Sequence, residues 1–204
     1  MTWKRGRRRV GRSANPGGKG IRVLRRLILF RHAKAAHRAR GGTDRDRPLE
    51  AVGRREAGLT GRWMAATGFA PDLVLVSPSA RTVQTWDEVK DHFPRAKVEV
   101  LDDLYDATPE DIELAIAGPA RGAQDVLVVG HNPGMQELAM NLLIEGGASG
   151  DEVEKVAGGF PTSTVAVIAV GESGGARLEA LFCPRRDAIP PYVEAWDEEP
   201  GAGS

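Results

Sequence analysis

Two histidines and two arginines follow closely on the ends of short apolar runs. Arg31-His32 comes directly after Leu27-Ile28-Leu29-Phe30. Ser77 to Arg81 follows Leu73-Val74-Leu75-Val76, and Gly130-His131-Asn132 follows Val126-Leu127-Val128-Val129. An arginine fork binds phosphate oxygens bidentately and stays charged. A neutral imidazole is a nucleophile toward phosphorus, and a second imidazole serves as donor or cation beside the transferring group. A helix opening after Ser77-Pro78 would add backbone N–H donors, and a cation in its first turn, Arg81, opposes the helix dipole and so asks for an anion. Taken together, these residues describe phosphoryl transfer without a metal. No His-Glu spacing supplies a metal site, and no cofactor is expected. His37 and His92 read as ordinary loop and helix-end residues.

The chemistry depends on elements that bring these positions to one rim. The three apolar runs read as buried strands, and Val98-Glu99-Val100 as another. Pro48 reads as the start of a helix that Gly68 stops, and a second helix is expected from about Ala80 to His92. Thr108-Pro109-Glu110-Asp111 combines a cap, a proline at the first helical position and an acidic first turn. A further helix is expected up to about Ile144. Thr164 to Val170 and Arg177 to Phe182 read as an antiparallel hairpin at a sheet edge. Alternating strands and helices predict an α/β three-layer sandwich, a mostly parallel central sheet with helices on both faces. Ligands of such sheets bind beyond the carboxyl ends of the strands, where Arg31-His32, Ser77–Arg81 and His131-Asn132 all fall.

Three segments in this order resemble the histidine phosphatase superfamily: L-I-L-F-R-H-A-K-A from Leu27, S-P-S-A-R-T-V-Q-T from Ser77, and V-V-G-H-N-P from Val128. The segment D-R-D-R-P-L from Asp44, and the absence of a large inserted cap, are similar to the SixA-type phosphohistidine phosphatases. The resemblance spans about Leu27 to Leu181, with Ala33 standing where many members carry glycine. It implies a phosphoglycerate mutase-like fold. It also implies a phosphatase in which His32 attacks phosphorus and is transiently phosphorylated, while Arg31, Arg81 and His131 hold the phosphoryl oxygens. Arg47 and Asn132 are further candidate substrate contacts; for Arg47 the competing reading is an ion pair with Asp44 or Asp46. Asp106 falls closest to the place where many relatives carry a general acid. A phosphohistidine leaves as an imidazole and needs such an acid less than an alkoxide does.

Composition narrows the alternatives. The 28 Lys+Arg balance 28 Asp+Glu, but residues 1 to 43 hold 14 of the bases and none of the acids. Residues 1–26 read as a basic, solvated, probable-coil extension, residues 27–184 as the phosphatase domain and residues 185–204 as an acidic, Pro-rich tail. Without the first 26 residues the body carries 18 bases against 28 acids. The single cysteine excludes an internal disulfide framework and a Cys-based zinc cluster. No apolar run reaches the length of a bilayer span, and no secretory h-region is present, so a cytoplasmic protein is expected. The expected partner is a phosphorylated protein, such as a His-containing phosphorelay domain. The alternatives are a small phosphometabolite as substrate or a non-catalytic phosphate-binding module. Weak nucleic-acid binding would be confined to residues 1–26.

Overall fold

The computed structural model describes residues 24–39, 41–120, 122–171 and 174–194. The strands are β1 (Arg26–Arg31), β2 (Leu73–Val76), β3 (Lys97–Val100), β4 (Asp125–Gly130), β5 (Val165–Val170) and β6 (Ala176–Phe182). They form one six-stranded sheet in the order β3-β2-β4-β1-β5-β6. The β3, β2, β4 and β1 pairings are parallel; β5 runs antiparallel to β1, and β6 antiparallel to β5. The mostly parallel α/β sandwich and the edge hairpin are therefore both present.

Strands β1, β2, β4 and β5 read as apolar runs because both of their faces are covered. Alternation then sends each residue to one of two cores. Leu27 and Leu29, Leu73 and Leu75, and Val126 and Val128 face a core that includes Ile112, Ile116, Leu138 and Leu143. Ile28 and Phe30, Val74 and Val76, and Leu127 and Val129 face the other, with Trp63, Met64, Trp86 and Phe93. The first core holds residues of α3 (Pro109–Ala117), α4 (Gly134–Glu145) and α5 (Gly150–Ala157), and the second holds residues of α1 (Ala51–Ala66) and α2 (Ala80–Asp87).

Several local expectations are corrected. The first helix starts at Ala51, not Pro48, because the backbone before it is already committed. Leu49 bridges Ala35, Ala36 N–H donates to the Pro48 carbonyl, and Glu50 N–H donates to the Lys34 carbonyl. The helix expected to reach His92 ends at Asp87. A separate 3-10 turn covers Lys90–His92, and the chain between them seats buried Val89 against Gly61. A Cβ at Gly61 would stand 2.6 Å from Val89. The Gly-rich stretch after α4 contains α5, opened by a capping box of Ser149 and Glu152. In the acidic tail, the short α6 (Pro191–Glu194) buries Val193 completely. Arg25 and Arg26, grouped by sequence with the basic extension, pair with Asp125 and Glu179. The rest of that extension, residues 1–23, lies outside the described residues. Among the described residues, no helix is long and apolar enough to cross a membrane.

Candidate active site

Strand register assembles the site. Arg31 pairs with Gly130 across β1 and β4, and Val76 pairs with Val129 across β2 and β4. The residues that follow therefore emerge side by side at the carboxyl ends. His32 N–H donates to the Gly130 carbonyl at 3.0 Å, and Ser77 N–H to the Val129 carbonyl at 3.0 Å. The His32 and His131 rings end 5.2 Å apart between centroids. Arg81, in the first turn of α2, is 3% exposed.

His32 Nδ1 lies 2.8 Å from the Ala33 carbonyl oxygen. A carbonyl only accepts, so Nδ1 carries the proton and Nε2 keeps its lone pair. Burial pulls His32 down to about 4. The hydrogen bond to Ala33 opposes that shift, while the cations Arg81, Arg31 and Arg47 reinforce it. His131 is pulled down to about 3, first by burial, then by His32 and Arg81. Both rings are therefore neutral at pH 7. His131 Nε2 lies 2.8 Å from Ser77 Oγ, and its buried Nδ1 has no hydrogen-bond partner among the described residues.

The two arginines are held in the same manner. Arg31 donates through Nη1 to the Phe160 carbonyl at 2.6 Å, and Arg81 through Nη1 to the Asp44 carbonyl at 2.8 Å. Each keeps a buried Nε–H with no partner among the described residues. Buried polar groups are seldom left unpaired, and two arginine Nε–H donors with the unpaired His131 Nδ1 at one rim suit an anion with several oxygens.

The loop between β1 and α1 closes one side. It is pinned at a neck, Ala35 to Leu49, and its exposed tip returns to the site through Asp44. The Asp44 carboxylate takes the Arg81 guanidinium at 3.0 Å, the Arg47 Nε at 2.7 Å and the Tyr105 hydroxyl at 2.7 Å. Tyr105 and the neighbouring cations hold Asp44 down at about 2. Arg47 thus makes the ion pair with Asp44 and also donates to the Ala36 carbonyl at 3.0 Å. Tyr105 meets the His131 ring edge-on at 5.6 Å.

Asn132 shares the Phe160 carbonyl with Arg31. Its Nδ2 donates to Gln136 at 3.0 Å and to the Phe160 carbonyl at 3.2 Å, while its buried Oδ1 is unpaired among the described residues. Asp106 is exposed, in a left-handed conformation with φ 50°, and makes no hydrogen bond to His32, Arg81 or His131. The structure thus gathers Arg31, His32, Arg81 and His131, adds Arg47 through Asp44, and leaves Asp106 outside the hydrogen-bonded cluster. Among the described residues, no group of three or more His, Cys, Asp or Glu is placed to hold a metal ion.

Three contributors escape a reading by residue type alone. Ser77 and Asp44 lie inside the quoted motifs, yet only the fold shows what they touch. Ser163, buried with φ 67°, donates its N–H to the His32 carbonyl, and its neighbour Thr164 accepts from Arg31 N–H. Serine carries no signal for a left-handed backbone.

Residues 27–116 match the model of the histidine phosphatase superfamily, branch 1. The chain is 33% identical to an Agrobacterium tumefaciens protein described as the phosphohistidine phosphatase SixA, over 79% of this chain and 99% of that one, with a TM-score of 0.69. The structure of a protein histidine phosphatase SixA complexed with tungstate matches at 30% identity, over 78% and 97% of the two chains, with a TM-score of 0.63. An uncharacterized protein of Mycobacterium tuberculosis is 37% identical over 162 residues, 76% of this chain and the whole of that protein. The chain belongs to the histidine phosphatase superfamily. Membership supports phosphatase activity on a phosphorylated substrate.

Proposed function

We propose that the protein removes phosphoryl groups from phosphohistidine in proteins, through a phospho-His32 intermediate. The observation that carries this reading is the unprotonated Nε2 of His32 beside the unpaired Nε–H groups of Arg31 and Arg81 and the unpaired Nδ1 of His131. The Nε2 lone pair attacks phosphorus while the bond from phosphorus to the leaving nitrogen breaks. The leaving imidazole takes a proton and departs neutral. Arg31 and Arg81 hold the equatorial oxygens through their guanidinium edges. Ser77 donates to His131 Nε2, which keeps the His131 proton on Nδ1, facing the phosphoryl group. Water then attacks phosphorus, the nitrogen–phosphorus bond to His32 breaks, and phosphate is released.

Low proton affinity serves this cycle. A nucleophile held near 4 is unprotonated at pH 7 without a base to activate it. Asp106, close by in the loop that carries Tyr105, would be the proton donor for an alkoxide leaving group, which an imidazole does not require. The exposed tip of the β1–α1 loop leaves an open mouth that suits a protein surface.

The test is incubation with phosphohistidine-labelled proteins. Wild type should release phosphate and carry acid-labile label on His32 during turnover, and His32→Ala should do neither. A sugar phosphate turned over far faster than phosphohistidine would replace the protein reading with that of a small phosphometabolite. No turnover of any aryl phosphate would leave a phosphate-binding module.

A further inference from the structure

The exposed tip of the β1–α1 loop borders a hollow of about 320 Å³, lined by His37, Arg38, Gly42, Thr43, Asp44 and Arg47. It adjoins the phosphoryl site, since Asp44 and Arg47 belong to both. Its charge runs against that of the body, where acids exceed bases by ten. The two carboxylates of the tip are already committed. Asp44 is taken by Arg81, Arg47 and Tyr105, and Asp46 accepts from the Thr43 N–H and hydroxyl at 2.8 Å each. Arg47 is engaged by Asp44 and the Ala36 carbonyl, but the other bases are not so committed. His37 and Arg38 are exposed and make no hydrogen bond or ion pair with any described residue. Arg45, next on the tip, lies 4.3 Å over the Tyr105 ring with only a 3.4 Å contact to exposed Asp102.

We propose that this hollow is a second anion subsite, which takes the carboxylate of an acidic side chain flanking the phosphorylated residue of a protein substrate. The proposal rests on the phosphatase reading above. The unpaired buried donors of the mouth all belong to the phosphoryl clamp and its immediate neighbours. The hollow instead offers one long, solvated cation, Arg38, with the exposed Arg45 next to it on the loop tip. That arrangement fits a diffuse acidic protein surface better than a second phosphate, which calls for convergent buried donors. A positive collar on an acidic body also steers an acidic partner to the one place where its phosphoryl group can react.

The test compares two phosphohistidine peptides of equal length, one flanked by Asp and Glu, the other by Ser and Asn. At low ionic strength, wild type should favour the acidic peptide about five- to tenfold in kcat/KM, as expected for one or two exposed ionic contacts. The preference should shrink as salt is raised. Arg38→Glu should bring the ratio to about one, and Arg38→Lys should restore it. Turnover of p-nitrophenyl phosphate separates two failures. If wild type cleaves it yet treats both peptides alike, the subsite is overturned while the phosphatase reading stands. If wild type cleaves neither it nor the peptides, both fall. A third arm compares a small bisphosphate with its monophosphate. A larger Arg38-dependent preference there than between the peptides would overturn the carboxylate assignment in favour of a second phosphate.

Discussion

In the proposed cycle, Ser77 sets which nitrogen of His131 faces the phosphoryl group. Its hydroxyl is 2.8 Å from Nε2 of the buried ring and fixes its orientation; donating there, as the proposed cycle requires, it also holds the proton on Nδ1. Loss of one such hydrogen bond is worth about 1 kcal/mol, or about fivefold in rate. Ser77→Ala should therefore lower kcat about five- to tenfold while leaving the fold intact. Nitrogen NMR should show His131 protonated mainly at Nδ1 in wild type and a mixture in the variant. An unchanged tautomer alongside a lowered rate would assign Ser77 a different role. Asp106 is tested by the leaving group. Asp106→Asn should leave phosphohistidine hydrolysis within about twofold, yet slow an alkyl phosphate by about 10²-fold, the scale of general-acid assistance. Equal losses on both substrates would mean that the carboxyl acts through the loop rather than on a proton.

At the scale of elements, the site depends on how closely α1 approaches the Arg-His strand end. A Cβ at Gly53 would stand 2.1 Å from the Lys34 carbonyl oxygen, which already accepts from Glu50 N–H. Backbone cannot yield as a side-chain tip can. Gly53→Ala should cost about 1–3 kcal/mol of stability by chemical denaturation. It should also lower kcat/KM on an aryl phosphate, because the displaced neck carries His32 and Asp44. A variant with wild-type stability would show that the neck shifts freely. This close approach explains what could be read beforehand. The apolar runs announced β1, β2 and β4 because burial on both faces dictates their composition, and their ends marked Arg31, His32, Arg81 and His131. Pro48 misled because its carbonyl is spent on Ala36 N–H, a non-local pairing that no local pattern reports. The same holds for the Asp44 contacts with Arg81 and Tyr105, which join residues 37 and 61 positions apart. The glycines flanking α5 hide it, although its Ser149-to-Glu152 capping box lies in plain sequence.

For the whole molecule, two neutral histidines at one rim, His131 buried and His32 partly so, tie the proposed nucleophile to acid stability. The unfolded chain binds a proton at each near pH 6.5, whereas the folded protein holds His32 at about 4 and His131 at about 3. Between those limits the unfolded state binds more protons, so stability falls as pH falls. The contribution is fully present above pH 6.5 and is lost progressively down to about 4 for His32 and 3 for His131. Asp44 follows the same sign in a lower window, from its ordinary value near 4 down to about 2. The melting temperature should therefore drop from pH 7 toward pH 4, ahead of most carboxylate titration. A His32→Asn, His131→Gln double variant should flatten the curve between pH 6.5 and 4 while keeping the steeper loss below it. Inorganic phosphate, as an oxyanion at the clamp, should raise the melting temperature of wild type and do little for the double variant. An equal slope for both proteins between pH 6.5 and 4 would show that the histidines are not held neutral by burial, and with that the account of how His32 is ready to attack at pH 7 would fail.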